Sequence, residues 1–260
     1  MPIQKCPLCL ETKTVVSSHL MPAGMYSYCR PEGGHHISMS SKLVIETDRQ
    51  IQDYLLCNEC EGILNKGGET WILPLLSTYK GSFPFYDFLT KFKADVVEGE
   101  TSAYAAVRNS EIDTENLLHF AMGVFWKAGV HSWSGSRTAP MIDLGEFADP
   151  IRRFLRGEVG FPDHMALMIG VLPPPNKWIA FYNPYQGSNT QWKNFLFHVP
   201  GIEFSLGVGK ELDNSVREES FSCNPARPIL VLNYLPDLLA INKYVWENAR
   251  KAKNMEKYLK

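Results

Sequence analysis

The chain has 260 residues, 45% of them hydrophobic and 21% charged, with a formal net charge of −2. These values are ordinary for a globular protein, and the length is enough for one large domain or for a small one beside a medium one. The first eighty residues are near neutral too, with Lys5, Lys13, Arg30, Lys42, Arg49, Lys66 and Lys80 set against eight carboxylates, which argues against a protein that coats nucleic acid through a broad basic face. No run approaches the roughly eighteen apolar residues of a membrane helix, and "MPIQKCPLC" lacks the charged-then-apolar order of a secretory signal. A cytoplasmic protein without a membrane partner is expected.

Residues 1–78 read as a small metal-organised module. The pairs Cys6/Cys9 ("CPLC") and Cys57/Cys60 ("CNEC") supply four thiolates, the donor set of a closed tetrahedral zinc site. All four thiolates are then spent, so this zinc is structural. Cys29 and Cys223 are left over as reduced cysteines. Between the pairs, "SSHLMPAGMY" carries Ser18 and His19 in a segment expected to form a hairpin, and the second pair should open a helix. Knuckle, hairpin and helix make a treble-clef layout in which His19 faces the start of the helix that carries Glu61. Glu61, Asn65 and Glu69 recur at i, i+4 and i+8, one face of an unbroken helix, although Gly67 and Gly68 weaken that geometry. Glu61 also reads as a favourable anion in a first helical turn and Glu69 as a solvated charge. In "GGHHISMSS", His35 and His36 alternate faces of a strand, so one of them can reach the site to touch phosphate or metal; a surface histidine pair is the other reading.

Residues 79–260 read as an α+β domain. "TENLLHFAMGVFWKAG" places Leu117, Leu118, Ala121, Val124 and Phe125 at helical spacing, as in a buried amphipathic helix. "GEFADPIRRFLRG" suggests a second helix, with Asp149 as N-cap, Pro150 at the first helical position and Gly157 as the stop. "HSWSGSR" joins His131, Ser132, Ser134 and Arg137 in a polar loop that suits either an anion or a structural turn. The runs "MALMIGVL", "KWIAFYNP", "NFLFHV" and "IEFSLGVG", parted by "PPPNK", "YQGSN" and "PG", read as antiparallel strands. "PDLLAINKYVWENARKAKNMEKYL" closes the chain as a long helix begun by Pro236 and Asp237.

The run "CPLC…SHLMP…QIQDYLLCNECEGILNKGGE" resembles the zinc-containing HNH nucleases. Their ββα-metal motif runs C-x-x-C, Asp-His-Ile-x-Pro, then Asn-Leu-x-x-Leu-Cys-x-x-Cys-Asn. It also resembles a bacterial HNH-like group whose last element reads "LC-x-x-CE". The resemblance covers about the first seventy residues. It implies that His19 activates the attacking water, that Gln52 stands where the middle Asn orients that histidine, and that Glu61 replaces the final metal ligand. Ser18 stands where the family has a metal-ligating Asp, and Glu69 or Asn65 can make up for it. The chemistry so implied is phosphodiester hydrolysis of nucleic acid, DNA before RNA. Histidine is the base, and a Mg²⁺ or Mn²⁺ ion stabilises the developing charge. A homodimer or partner subunit and a role in defence against phage go with that resemblance. The rival reading is a non-catalytic zinc module fused to a ligand- or protein-binding domain, supported by Ser18 and by the near-neutral charge.

Overall fold

In a computed structural model, the described residues are 1–29, 35–40, 43–78, 80–99, 101–105, 110–133, 142–172, 181–188, 191–210, 212, 214–220 and 228–232. The expected C-terminal helix, Cys223, Ser134, Arg137 and the start of "KWIAFYNP" lie outside them. No described helix is long and apolar enough to cross a membrane.

Strands β1 (Ile3–Lys5), β2 (Thr12–His19) and β5 (Gln52–Cys57) form a small antiparallel sheet in the order β1-β2-β5, and helix α2 (Asn58–Leu64) follows β5 directly. Between β2 and β5 the chain makes a short helix, α1 (Met25–Tyr28), then β3 (His36–Ser40) and β4 (Leu43–Thr47). These last two strands belong to the nine-stranded sheet, where β3 pairs in parallel with β9 (Phe181–Gln186). That sheet therefore crosses the division expected at residue 78.

The remaining strands of the large sheet are β6 (Val96–Glu98), β7 (Thr101–Ala105), β8 (Met165–Val171), β10 (Lys193–Val199), β11 (Ile202–Val208) and β12 (Pro228–Leu232). Their order is β4-β3-β9-β10-β11-β8-β12-β7-β6, antiparallel except at the β3/β9 and β8/β12 joins. The antiparallel α+β architecture expected from the strand runs is thus present, with two parallel joins that local patterning does not report. The predicted "PG" separator is the turn between β10 and β11. Val199 pairs with Ile202, and Gly201 takes φ 83°, as the third position of a Pro-Gly type II turn requires.

Helix α3 (Thr70–Ile72) and helix α4 (Pro84–Leu89) lead towards β6, and α5 (Thr114–Val130) is the central helix. Asp113 caps α5, its Oδ1 accepting from the Asn116 backbone N–H at 3.0 Å. Leu117 and Phe120 to Ala128 are buried, so α5 is enclosed on all sides rather than amphipathic. One side meets the large sheet through Phe120, Phe125, Phe197 and Phe204, whose ring centroids lie 4.7–6.0 Å apart. The other side meets the π-helical turn Asn65–Glu69, where a Cβ on Gly68 would lie 2.5 Å from the Asn116 carbonyl and 2.7 Å from the Phe120 N. Gly68 thus serves a close approach of backbones, and Gly67 leaves room for the His119 ring.

Helix α6 (Ala148–Leu155) begins one residue before Asp149, after a 3₁₀ turn at Gly145–Phe147. Asp149 is therefore not its cap, and instead accepts from Arg152 Nε at 2.7 Å. Pro150 still lies in the first turn, where it removes no helical hydrogen bond. Gly157, at φ 68°, ends the helix as expected. A short helix, α7 (Asn214–Glu219), packs beside β8.

His198 on β10 is fully buried, and burial pushes its pKa down to about 3. Its Nε2 lies 3.3 Å from Tyr185 Oη, and Glu203 lies 3.6 Å from Nδ1. In the unfolded chain a histidine takes a proton near pH 6.5. Between those two values the unfolded state binds more protons, so stability falls as the pH drops through about 6.5 and goes on falling towards 3. Thermal melts should show a smaller loss between about pH 7 and about pH 5 for His198→Gln than for the native chain; equal losses would remove His198 as the cause.

Candidate functional site

The four cysteines converge as expected, the Sγ atoms of Cys6, Cys9, Cys57 and Cys60 all lying within 4.8 Å of one another. Zn–S bonds of about 2.3 Å set tetrahedral edges of about 3.8 Å, and the Cys9–Cys57 sulfurs are 4.0 Å apart, so the cluster fits zinc. Local backbone builds the first half. Leu10 turns the chain with φ 65°, its N–H donating to the Cys6 carbonyl at 2.8 Å, while Cys6 N–H donates to Glu11 O at 2.9 Å. Burial pushes the Cys6 thiol up, but N–H groups of Cys9, Cys57 and Leu8 outweigh it and hold the thiol below its ordinary value. The Cys57 N–H reaches Cys6 Sγ at 3.4 Å. Cys57 is also the N-cap of α2, so the second pair spans a strand end and the first turn of a helix. Helix α6 braces the knuckle, Arg152 donating to the Leu8 carbonyl at 3.3 Å.

Beside this cluster the end of β2 meets α2. Ser18, fully buried, donates its hydroxyl proton to Glu61 Oε2 at 2.7 Å and accepts from the Leu56 N–H at 3.2 Å. Ser18→Ala would strip a donor from Glu61 and leave a buried N–H without its acceptor. A loss of about 1–3 kcal/mol is expected in denaturant unfolding, and a change within error would mean that water replaces the hydroxyl.

His19 is half-buried. Burial, then the charge of Lys127, hold its pKa below the ordinary value, against the opposing pull of Glu61, of the Gln50 amide oxygen as acceptor and of the charge of Glu69. His19 is therefore neutral near pH 7 and able to accept a proton. Gln52 is its register partner across the strands, but the exposed Gln52 amide accepts from Ser17 Oγ at 3.4 Å, and the amide that bears on the His19 pKa is that of Gln50. Asn65 is exposed and accepts from Thr70 Oγ1 at 2.6 Å; the π-helical turn breaks the i, i+4, i+8 face on which it was expected to join Glu61 and Glu69. Glu69 does turn inward, with Lys127 Nζ 3.0 Å from its Oε1. His35 is exposed, whereas His36 is fully buried, its ring 4.7 Å from Tyr26 and 5.4 Å from Phe181, and so does not meet a phosphate. The strand that carries His36 belongs to the large sheet and not the small one.

Two features escape sequence reading. Lys127, 1% exposed, donates to the His19 carbonyl at 2.8 Å as well as to Glu69. Its signal was there: it is the sole charged residue in the apolar stretch from Leu117 to Val130. His131, the C-cap of α5 one turn beyond Lys127, has Nε2 3.1 Å from Asp53 Oδ2, with its ring edge-on to Trp133 at 5.0 Å. Asp53 pairs in register with Ser18, so this histidine–carboxylate pair lies one strand away from the Ser18–Glu61 contact. Nothing local joins residues 53 and 131.

The Mg²⁺ or Mn²⁺ implied by the HNH resemblance does not fit these residues. A hard cation wants several carboxylate or carbonyl oxygens. One oxygen of Glu61 already holds the Ser18 proton, and Glu69 and the His19 carbonyl already hold an ammonium. Comparison of the chain with family models, curated proteins and solved structures gives no match.

Proposed function

We propose that the chain is an HNH-like endonuclease, hydrolysing phosphodiester bonds in nucleic acid, with DNA the first substrate to try. The observation that carries this reading is the 2.7 Å bond from Ser18 to Glu61, because it brings the residue beside His19 against the first turn of the helix after the second cysteine pair. The order of two antiparallel strands and a helix over a four-cysteine cluster supports a treble-clef, ββα-metal reading. In this reading His19 is the general base: neutral at working pH, it takes the proton of the attacking water. Gln50 orients its ring, and Lys127 holds its backbone through the carbonyl. Glu61 is kept in place by Ser18 at the edge of the pocket, and the zinc holds the two halves of the module together. Action as a homodimer or with a partner subunit, and a role against phage or mobile DNA, belong to the same proposal.

A second reading, a zinc module that binds without cutting, draws support from Ser18, whose hydroxyl is spent on Glu61 where the family has a carboxylate. The deciding experiment incubates zinc-loaded protein with plasmid, linear duplex, single-stranded DNA and RNA, wild type beside His19→Ala and Glu61→Ala. Cutting that both variants lose upholds the nuclease. Folded, zinc-loaded protein that cuts none of the four favours the binding module.

A further inference from the structure

We infer that Lys127 is the resident cation at Glu69: its ammonium holds the place against that carboxylate that a divalent ion would need, and the native chain takes up no Mg²⁺ or Mn²⁺ there. Lysine is almost never fully buried without a partner, because the charge loses its hydration. Lys127 is buried in the last turn of α5, between Trp126 and Ala128, and it spends its ammonium on two oxygens, Glu69 Oε1 at 3.0 Å and the His19 carbonyl at 2.8 Å. Carboxylate and carbonyl oxygens are the donors that a hard cation takes. Here an ammonium has them. The same substitution runs through the rest of the pocket, since the proton of Ser18 on Glu61 lies where the HNH pattern has a second carboxylate and an ion between the two. A divalent ion brought to Glu69 would have to displace Lys127 into apolar surroundings or lie beside its charge, and both are unfavourable.

The consequence for catalysis rests on the nuclease reading, but the occupancy does not. If the chain cuts nucleic acid, it does so with His19 as the base and no divalent ion at Glu69, and added Mg²⁺ is not required.

The test is a titration of full-length, zinc-loaded protein with Mn²⁺, followed by the electron paramagnetic resonance of the free ion. Native protein should leave the signal of free Mn²⁺ undiminished. Lys127→Met keeps the bulk of the side chain and removes the charge, leaving Glu69 and the His19 carbonyl uncompensated. It should take up one Mn²⁺ at least about tenfold more tightly than wild type, and Lys127→Met with Glu69→Gln should lose that ion again. Uptake of one Mn²⁺ by the native chain, abolished in Glu69→Gln, overturns the inference. So does a folded Lys127→Met, with native zinc content, that binds none. Should Lys127→Met fail to fold, the native titration decides alone, uptake overturning the inference and its absence upholding it. The two readings fail separately: a native chain that cuts nothing sinks the nuclease and leaves the Mn²⁺ result standing, whereas cutting that appears only on addition of Mg²⁺ sinks the role of Lys127 and keeps the nuclease.

Discussion

Loss of zinc from the four-cysteine cluster is expected to cost the chain about 4 kcal/mol or more and to lower its melting temperature by about 10 °C. The small sheet cannot hold itself together. All three residues of β1 are exposed, and the buried side chains of the small sheet, the knuckle and α2 are Cys6, Leu8, Val15, Ser18, Leu55, Leu56, Cys57, Cys60 and Leu64, three of the four thiols among them. Structural zinc contributes about 10–16 kcal/mol to isolated zinc-finger peptides, and here the rest of the chain restrains the module, which lowers the net effect. Elemental analysis should find one zinc per native chain and none in Cys60→Ser, with the melting temperature falling in step. Metal-free protein that melts like the native form would show the four cysteines to be ordinary thiols.

His19→Ala is expected to lower cleavage by about 10²–10⁴-fold while leaving the melting temperature and zinc content near native. The fold should tolerate it because Lys127 bonds the His19 carbonyl and not its ring, and the ring is only half-buried. The pH dependence follows from the same surroundings. A general base must be unprotonated, so the rate should rise with pH through the pKa of His19 and then level off. Burial and the neighbouring Lys127 hold that pKa below the ordinary value of about 6.5, so the midpoint of the rise should lie below that pH. A rate still climbing well above pH 7 would point to another base. Undiminished cutting by His19→Ala would do the same, and His131, paired with Asp53, would then be the next residue to replace.

Much of the fold was legible where the signal is local. C-x-x-C spacing identifies the cluster because each pair binds from a single turn, and the helix that opens at Cys57 follows from the same motif. Apolar runs between turn signals mark β8 to β11, and Pro200-Gly201 marks the turn between two of them. The site was legible only in part. His19, Glu61 and Glu69 were singled out by type and spacing and Ser18 by the HNH resemblance, and Ser18 bonds Glu61 while Lys127 joins Glu69 to the His19 carbonyl. Gln52 and Gln50 are two residues apart on one strand approach, and sequence offers no means of telling which amide reaches the ring. One of His35 and His36 was expected to reach the site because alternation gives the face of a strand but not the sheet it joins.

The sequence by itself determined the metal cluster, the elements flanking it and the residue types that make general-base chemistry conceivable, because these depend on spacing along a few turns of backbone. Tertiary structure alone decided that β3 and β4 leave the small sheet for the large one, that α5 is enclosed on all sides, and that Lys127 reaches back 108 positions to His19. Those outcomes rest on strand register and on which helix face meets which sheet. A buried charge takes its meaning from the partners that such packing brings within 3 Å, and no local pattern names them.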